Sequence, residues 1–221
     1  MASYWPEFGV HGKERLTVRQ ALSHQAGVPG LAGGLALEEF PTPEAARRLA
    51  AAAPLWRPGS AFGYHALTMG ILMEELCRRV AGRSLQELYD ARLRRPSAGG
   101  IGSADGLARA YAAATTGVDG LPAVRVPATI AMMAEEQVWG LDRCSGKDDA
   151  FAVVFMKPQP GRDFGSYLAF GHEGANAALG YADPGYGIGF GYVPRRSEEG
   201  RTEGRAQRLS AAVRKACAAS G

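Results

Sequence analysis

Cysteine is scarce: Cys77, Cys144 and Cys217 are the only three in 221 residues. They are odd in number, far apart and without any Cys-x-x-Cys spacing. Free thiols are therefore expected, with no disulfide framework, zinc site or dithiol. Long apolar runs are also missing. The longest candidate, residues 66–73, is stopped by Glu74 and Glu75, far short of the roughly 18 residues of a membrane span, so no membrane partner is expected. The opening MASYWPEFGVHGKERL has no charged start followed by an apolar stretch, which makes a cytoplasmic location the expectation. Charge of one sign is lacking too. Lysine and arginine number 25 against 22 acidic residues, a net charge of +3, with no basic block, so nucleic acid is not an expected partner. The four histidines, His11, His24, His65 and His172, are scattered, and neither a metal site nor a cofactor is expected. HEGAN at His172 is not the zinc-protease helix motif, because Asn176 stands where a second histidine is required.

Glycine, by contrast, is abundant, at 30 residues, about twice the usual share, with no period of three. Many tight turns and close backbone approaches follow. A hydrophobic share of 46% supports a packed core, and the length fits one domain. TVRQ at Thr17 is a capping box that opens a helix over 17–24, with Gly27 as its expected C-terminal cap. A helix starts after Thr42 with Pro43 in its first turn. The strongest helix runs over 67–80, with Met69, Met73, Leu76 and Val80 on one face, and Gly82 ends it. Further helices are expected over 84–94, 107–116, 127–135 and 206–219. Strand-like runs occupy 150–155, 166–172, 176–183 and 187–193, separated by glycine and proline turns, and read as an antiparallel meander. Helices first and strands afterwards predict an α+β domain.

Two places could carry chemistry. His172 lies between Gly171 and Gly174 at a strand end, where backbone amides are able to face a ligand. Tyr64 follows a turn and precedes the strong helix. Each is open at this point to a structural or a catalytic role.

Three segments in order, LTVRQALSHQAGVP, WRPGSAFGYHALTMGILMEEL and FGHEGANAALGYADPGYGIGFGYV, together resemble the serine β-lactamase and penicillin-binding-protein-like hydrolases. That group contains class C β-lactamases, D-alanyl-D-alanine carboxypeptidases and family VIII esterases. The resemblance covers most of residues 4–193. It implies a β-lactamase-like (DD-peptidase/transpeptidase-like) α+β fold, an antiparallel sheet flanked by helices with a helical lobe. It implies a single domain over 1–221, with a mostly helical lobe over 1–147 and strands plus a final helix over 148–221. The implied chemistry is hydrolysis of a small ester, amide or β-lactam through an acyl-enzyme. Tyr64 takes the place of the general base or proton shuttle. His172, Glu173 and Gly174 take the place of the Lys-Thr-Gly or His-Thr-Gly triplet on the cleft strand, with Gly171 and His65 beside the substrate. Ala175 would offer its N–H to an oxyanion hole.

Departures from the pattern are visible. Ala66 stands where many members have asparagine, which favours ester hydrolysis over β-lactam chemistry. The family's Ser-x-x-Lys nucleophile is absent, since no serine in the 221 residues has a lysine three positions later. The expectation is a fold incomplete at its N-terminus and shortened near Pro96, weak or inactive as a hydrolase, or a non-catalytic ligand-binding or interaction module. The 187–193 strand is expected to leave an exposed edge that promotes self-association or takes a complementing chain.

Overall fold

The computed structural model describes residues 1–34, 36, 42–85, 87–88, 102–123, 126–174, 177–195 and 204–220. The chain divides into two compact units, Met1–Arg95 with Gln137–Asp149, and Pro96–Glu136 with Ala150–Gly221. The fold is α+β.

In the first unit, Thr17 caps α1 (Val18–Leu22) with a complete capping box to Gln20. The helix stops earlier than its pattern suggests. His24 makes the left-handed turn that closes it, at φ +66°, and Gly27, also left-handed at φ +79°, comes three residues later. The His24 N–H donates to the Ala21 carbonyl and the Gln25 N–H to the Gln20 carbonyl, the paired bonds that close a helix C-terminus. Thr42 caps α2 (Pro43–Ala51) with proline in its first turn, where a missing N–H is harmless. α3 (Thr68–Ala81) ends on Gly82 in the left-handed region. Its buried face is centred on Ile71, Leu72 and Leu76, whereas Val80 is 62% exposed. The 69/73/76/80 stripe is thus only half right, because the last turn projects beyond the core. Glu74 is buried instead, its carboxylate accepting the Leu85 N–H at 2.8 Å and pairing with Arg78 at 2.7 Å. Trp5, Phe8, Leu16, Leu49, Ile71 and Leu72 form this unit's core. Ser84 and Glu87 make a reciprocal capping pair; the remainder of the helix expected over 84–94 lies outside the described residues, as does the junction at Pro96.

β1 (Val138–Leu141) and β2 (Asp148–Phe151) form a two-stranded sheet. β1 was not foreseen: a four-residue strand containing a glycine lacks the alternation that marks strands. In the second unit, β3 (Phe170–Glu173), β4 (Leu179–Asp183) and β5 (Ile188–Tyr192) form an antiparallel meander in sequence order. β3 starts four residues later than its expected run, because residues 166–169 form a turn in which Ser166 bonds Asp183 through its N–H and hydroxyl. Of the expected 150–155 strand, Ala150 and Phe151 form the end of β2; after it come isolated bridges, Phe151 with Met156 and Met156 with Gly171.

Both faces of this sheet are covered. On one side lies α4 (Ala104–Thr115), capped by Ser103, with α5 (Pro127–Ala134) next to it. On the other lies α6 (Arg205–Ser220), whose Ser210 hydroxyl meets the Tyr181 hydroxyl at 3.0 Å. The glycines of β5 explain how close α4 comes. A Cβ on Gly189 would overlap the Ala108 carbonyl and the Ala112 N–H, and one on Gly191 the Ala104 carbonyl. Helix backbone rests almost directly on strand backbone. Ile188, Phe190 and Tyr192 alternate to the opposite face and pack on the Phe164–Tyr181–Ala206 cluster, with Phe190 stacked on Tyr181 at 4.8 Å. Among the described residues β5 is the last strand of this sheet, and no helix is long and apolar enough to cross a membrane.

Two glycine substitutions test this packing. Gly191→Ala is expected to destabilise by about 1–3 kcal/mol through overpacking. Gly70→Ala in α3, where an added Cβ meets nothing within 4 Å, is expected to stabilise by about 0.5–1 kcal/mol through helix propensity. Urea unfolding of the two variants measures both signs; a neutral Gly191→Ala would mean that α4 stands further from the sheet.

Candidate functional site

Tyr64 and His65 lie in the first unit, and Gly171, His172, Glu173 and Gly174 in the second. Each group is described within its own unit.

Tyr64 sits in the loop before α3, and the backbone of that loop is tied at every residue. The Phe62 carbonyl accepts the Arg143 N–H at 3.0 Å, and the Gly63 N–H donates to the His24 carbonyl at 3.2 Å. The Tyr64 N–H donates to Asp142 Oδ2 at 2.8 Å. The His65 N–H donates to His24 Nδ1 at 3.0 Å. Gly63 must lack a side chain, because a Cβ there would press on Cys144 Sγ at 2.7 Å and on the Trp56 ring at 2.8 Å. The Tyr64 ring stands 5.0 Å from the His24 ring. His24 itself holds the left-handed backbone that L-residues seldom adopt, at a cost on the order of 1 kcal/mol; that turn is what aims Nδ1 at the His65 amide.

His65 is completely buried. Its Nε2 accepts the Val28 N–H at 3.0 Å, so Nδ1 carries the proton and donates to the Gly63 carbonyl at 2.6 Å. Both nitrogens are therefore engaged by backbone. A substrate contact would need a ring nitrogen at the surface, and His65 offers none; it is an internal brace. Burial drives its pKa down to about 4, against smaller opposing effects of the Gly63 carbonyl and the Asp142 charge.

In the second unit, Gly171 is consumed by structure. Its N–H and carbonyl pair with Met156 at 3.1 and 2.8 Å. His172 is half-buried and lies opposite Gly180, hence on the sheet face that α4 covers. Glu173 is on the other face, where Oε1 accepts from Gln207 Nε2 at 2.6 Å and Oε2 faces Arg162 at 3.5 Å. The Gly174 N–H closes the hairpin on the Ala178 carbonyl at 2.8 Å, so it is not a spare oxyanion donor. Ala175, the expected donor, lies outside the described residues. Beneath β3, Lys157 is buried, with its Nζ donating to the Tyr167 and Ala169 carbonyls at 2.9 and 2.8 Å; desolvation lowers its pKa. Among the described residues no three His, Cys, Asp or Glu side chains gather to hold a metal ion.

Asp142 escaped the sequence reading. It is fully buried, with Oδ1 accepting the N–H groups of Cys144 and Ser145 at 2.7 and 2.8 Å while Oδ2 takes Tyr64. An aspartate opening DRCSG carries the signature of a side chain that caps its own turn. Nothing local announces its second oxygen's partner, 78 residues away.

Comparisons with known proteins agree with this architecture. The β-lactamase family model matches residues 1–97. The chain is 43% identical over 96 residues to the esterase/β-lactamase LipL of Mycobacterium tuberculosis, a match that covers 43% of this chain and 22% of that protein. The structure of EstA from Arthrobacter nitroguajacolicus Rue61a superposes with a TM-score of 0.92 at 40% identity, over 100% of this chain and 77% of the other. A penicillin-binding-protein homologue from Caulobacter crescentus gives 0.82 at 27% identity, over 100% of this chain and 75% of the other.

The His65 brace makes stability depend on pH. Its pKa in the folded chain lies below the unfolded value of 6.5, so the unfolded state binds more protons between pH 6.5 and about 4. Stability is fully present above that window and falls by about 3 kcal/mol across it as pH drops. Urea unfolding from pH 7 to pH 4 is expected to show this slope in the native chain and a flatter one in His65→Asn. Equal slopes would remove His65 as the cause.

Proposed function

The chain belongs to the serine β-lactamase-like hydrolase family, and on that footing we propose that its function is acyl transfer to water from a small ester, amide or β-lactam, with Tyr64 as the proton-transfer group, impaired in these 221 residues because no Ser-x-x-Lys pair stands in them. The observation that carries this reading is the likeness to EstA along the whole chain, in which the Tyr64 loop is held at four consecutive residues. Esterase chemistry is preferred to β-lactam cleavage because Ala66 occupies the position of the family's asparagine.

In this reaction a serine oxygen attacks the carbonyl carbon, its proton passes to the tyrosine oxygen, and the leaving alcohol or amine carries that proton away. Water then attacks the acyl-enzyme by the same route in reverse. His172, Glu173 and Gly174 are assigned to the strand that flanks the reacting carbonyl. A tyrosine titrates near pH 10, so holding it ready at neutrality takes a shift of about three units, or about 4 kcal/mol of charge stabilisation. The family's lysine is the natural source of that field, and no Ser-x-x-Lys pair stands in these 221 residues. The second reading, favoured by that same observation, is a module that binds acyl ligands without turning them over.

Incubation with a fluorophosphonate and with a penicillin, read by intact mass, separates the readings. The 221-residue chain is expected to gain no adduct and to hydrolyse activated short-chain esters on the order of 10⁶-fold more slowly than a relative with the serine in place. Saturable penicillin binding without an adduct would favour the binding module. A labelled serine, for instance Ser60 in the turn before Tyr64, with turnover lost in Ser60→Ala, would overturn the impairment and identify a nucleophile.

A further inference from the structure

We infer that Asp142 is the positioning residue of Tyr64, a carboxylate in the β1–β2 hairpin that sets where the phenol stands. The inference rests on the reading of Tyr64 as the proton-transfer group and adds the residue through which its place is held.

The geometry argues this from how the two carboxylate oxygens are used. Oδ1 has a local task, accepting the N–H groups of Cys144 and Ser145 and so shaping the turn. The turn also has its own backbone closure, the Asp142 N–H to the Lys147 carbonyl at 2.9 Å and the Gly146 N–H to the Asp142 carbonyl at 2.8 Å. The hairpin is therefore complete without Oδ2. That oxygen reaches out of the hairpin to the Tyr64 N–H, and Arg143, next in sequence, adds its own N–H to the Phe62 carbonyl. Two consecutive hairpin residues thus grip the strand of chain that carries the tyrosine.

The grip completes a pair of anchored peptide planes. The plane between Gly63 and Tyr64 is held at its carbonyl by His65 Nδ1 and at its N–H by Oδ2, and the plane after it at the His65 N–H by His24 Nδ1. Of these three ties, the one from Oδ2 is the one that ends on an atom of Tyr64 itself. Charge matters as well as shape. A buried carboxylate is tolerable only when its oxygens are bonded, and here three N–H groups converge on it. Asparagine has the same outline, yet it must turn an NH2 toward either Tyr64 or the Cys144–Ser145 pair, setting donor against donor.

A control exists in the other unit. Asp183 is equally buried and accepts from the Ser166 N–H and hydroxyl and the Gly185 N–H, so it anchors a turn in the same manner without touching the Tyr64 loop.

The test is NMR of the full 221-residue chain with ¹³C-labelled tyrosine, as native protein, Asp142→Asn, Asp183→Asn and Tyr64→Phe, the last assigning the Tyr64 ring signal. Asp142→Asn is expected to shift or broaden that signal and to speed exchange of the Tyr64 amide by about tenfold or more, the loss of one charged hydrogen bond. Asp183→Asn, a comparable loss of stability, is expected to leave both unchanged. A Tyr64 signal that moves equally in both variants, or in neither, overturns the inference. Should Asp142→Asn not fold, exchange in the native chain decides: Tyr64, Cys144 and Ser145 amides sharing one protection level support a common anchor, and a Tyr64 amide exchanging about tenfold faster than the other two overturns it. Failure of the two readings is distinguishable, because the ring signal does not depend on turnover. A ring moved by Asp142→Asn but not by Asp183→Asn keeps the positioning role even if labelling and hydrolysis assays remove the proton-transfer role of Tyr64; a ring insensitive to Asp142 removes the positioning role whatever those assays show.

Discussion

The backbone of residues 62–65 cannot be left to the solvent or to chance, because a short loop between two ordered segments has more polar groups than its own turns are able to satisfy. This protein meets the requirement by bringing in partners from both sides of the sequence. His24 comes from the end of α1, Asp142 and Arg143 from a hairpin far downstream, and His65 folds back on its own loop. Each partner is itself pinned: His24 by the bonds that close α1, His65 by Val28, Asp142 by its own turn. The tyrosine is thereby carried on a segment with no free backbone donor to reorient it, and the order of the surrounding loops depends on that closure.

The second unit rests on a different constraint. Its three strands are covered on both faces, and β4 is buried along its whole length. On the α6 side the filling is aromatic, with Phe164, Tyr181 and Phe190 in contact. On the α4 side the filling is graded: at β5 the glycines meet helix backbone and alanines, at β4 Gly180 lies against Leu107 and Tyr111, and at β3 Phe170 packs with Ile130, Tyr111 and Phe155. At β5 the two faces differ most, with Ile188, Phe190 and Tyr192 on the α6 side and Gly189 and Gly191 on the α4 side, which explains why a strand built on good strand formers also holds two glycines.

Much of this was legible in the sequence because the signals are local. Thr17 with Gln20, Thr42 before Pro43, and Gly82 after α3 mark helix ends by short-range hydrogen bonding or by conformation, and the structure uses each as read. The meander was legible from its turns. What the sequence concealed is long-range. Gly27 is left-handed as its type suggests, but the left-handed residue that closes α1 is His24, a residue with less local preference for that conformation than glycine, whose ring is bonded to the distant His65 amide. The late start of β3 follows from Ser166 bonding Asp183. The resemblance placed His65 beside the substrate, next to the tyrosine, and the Val28 and Gly63 partners show that it faces inward. Asp142 advertised a turn and nothing more. The family motifs placed Tyr64 and the β3 strand in order along the chain, but the residues that hold them are not part of any motif.

The contact between α4 and β5 also has a mechanical meaning. Side chains at an ordinary helix–sheet interface act as a compliant layer, since rotamers can change to absorb a displacement of an ångström or so. Between Gly189 or Gly191 and Ala104, Ala108 and Ala112 there is no such layer, only main chain and methyl groups. A push on α4 therefore has nothing to deform before it reaches the strand, and the two elements move as one stiff plate.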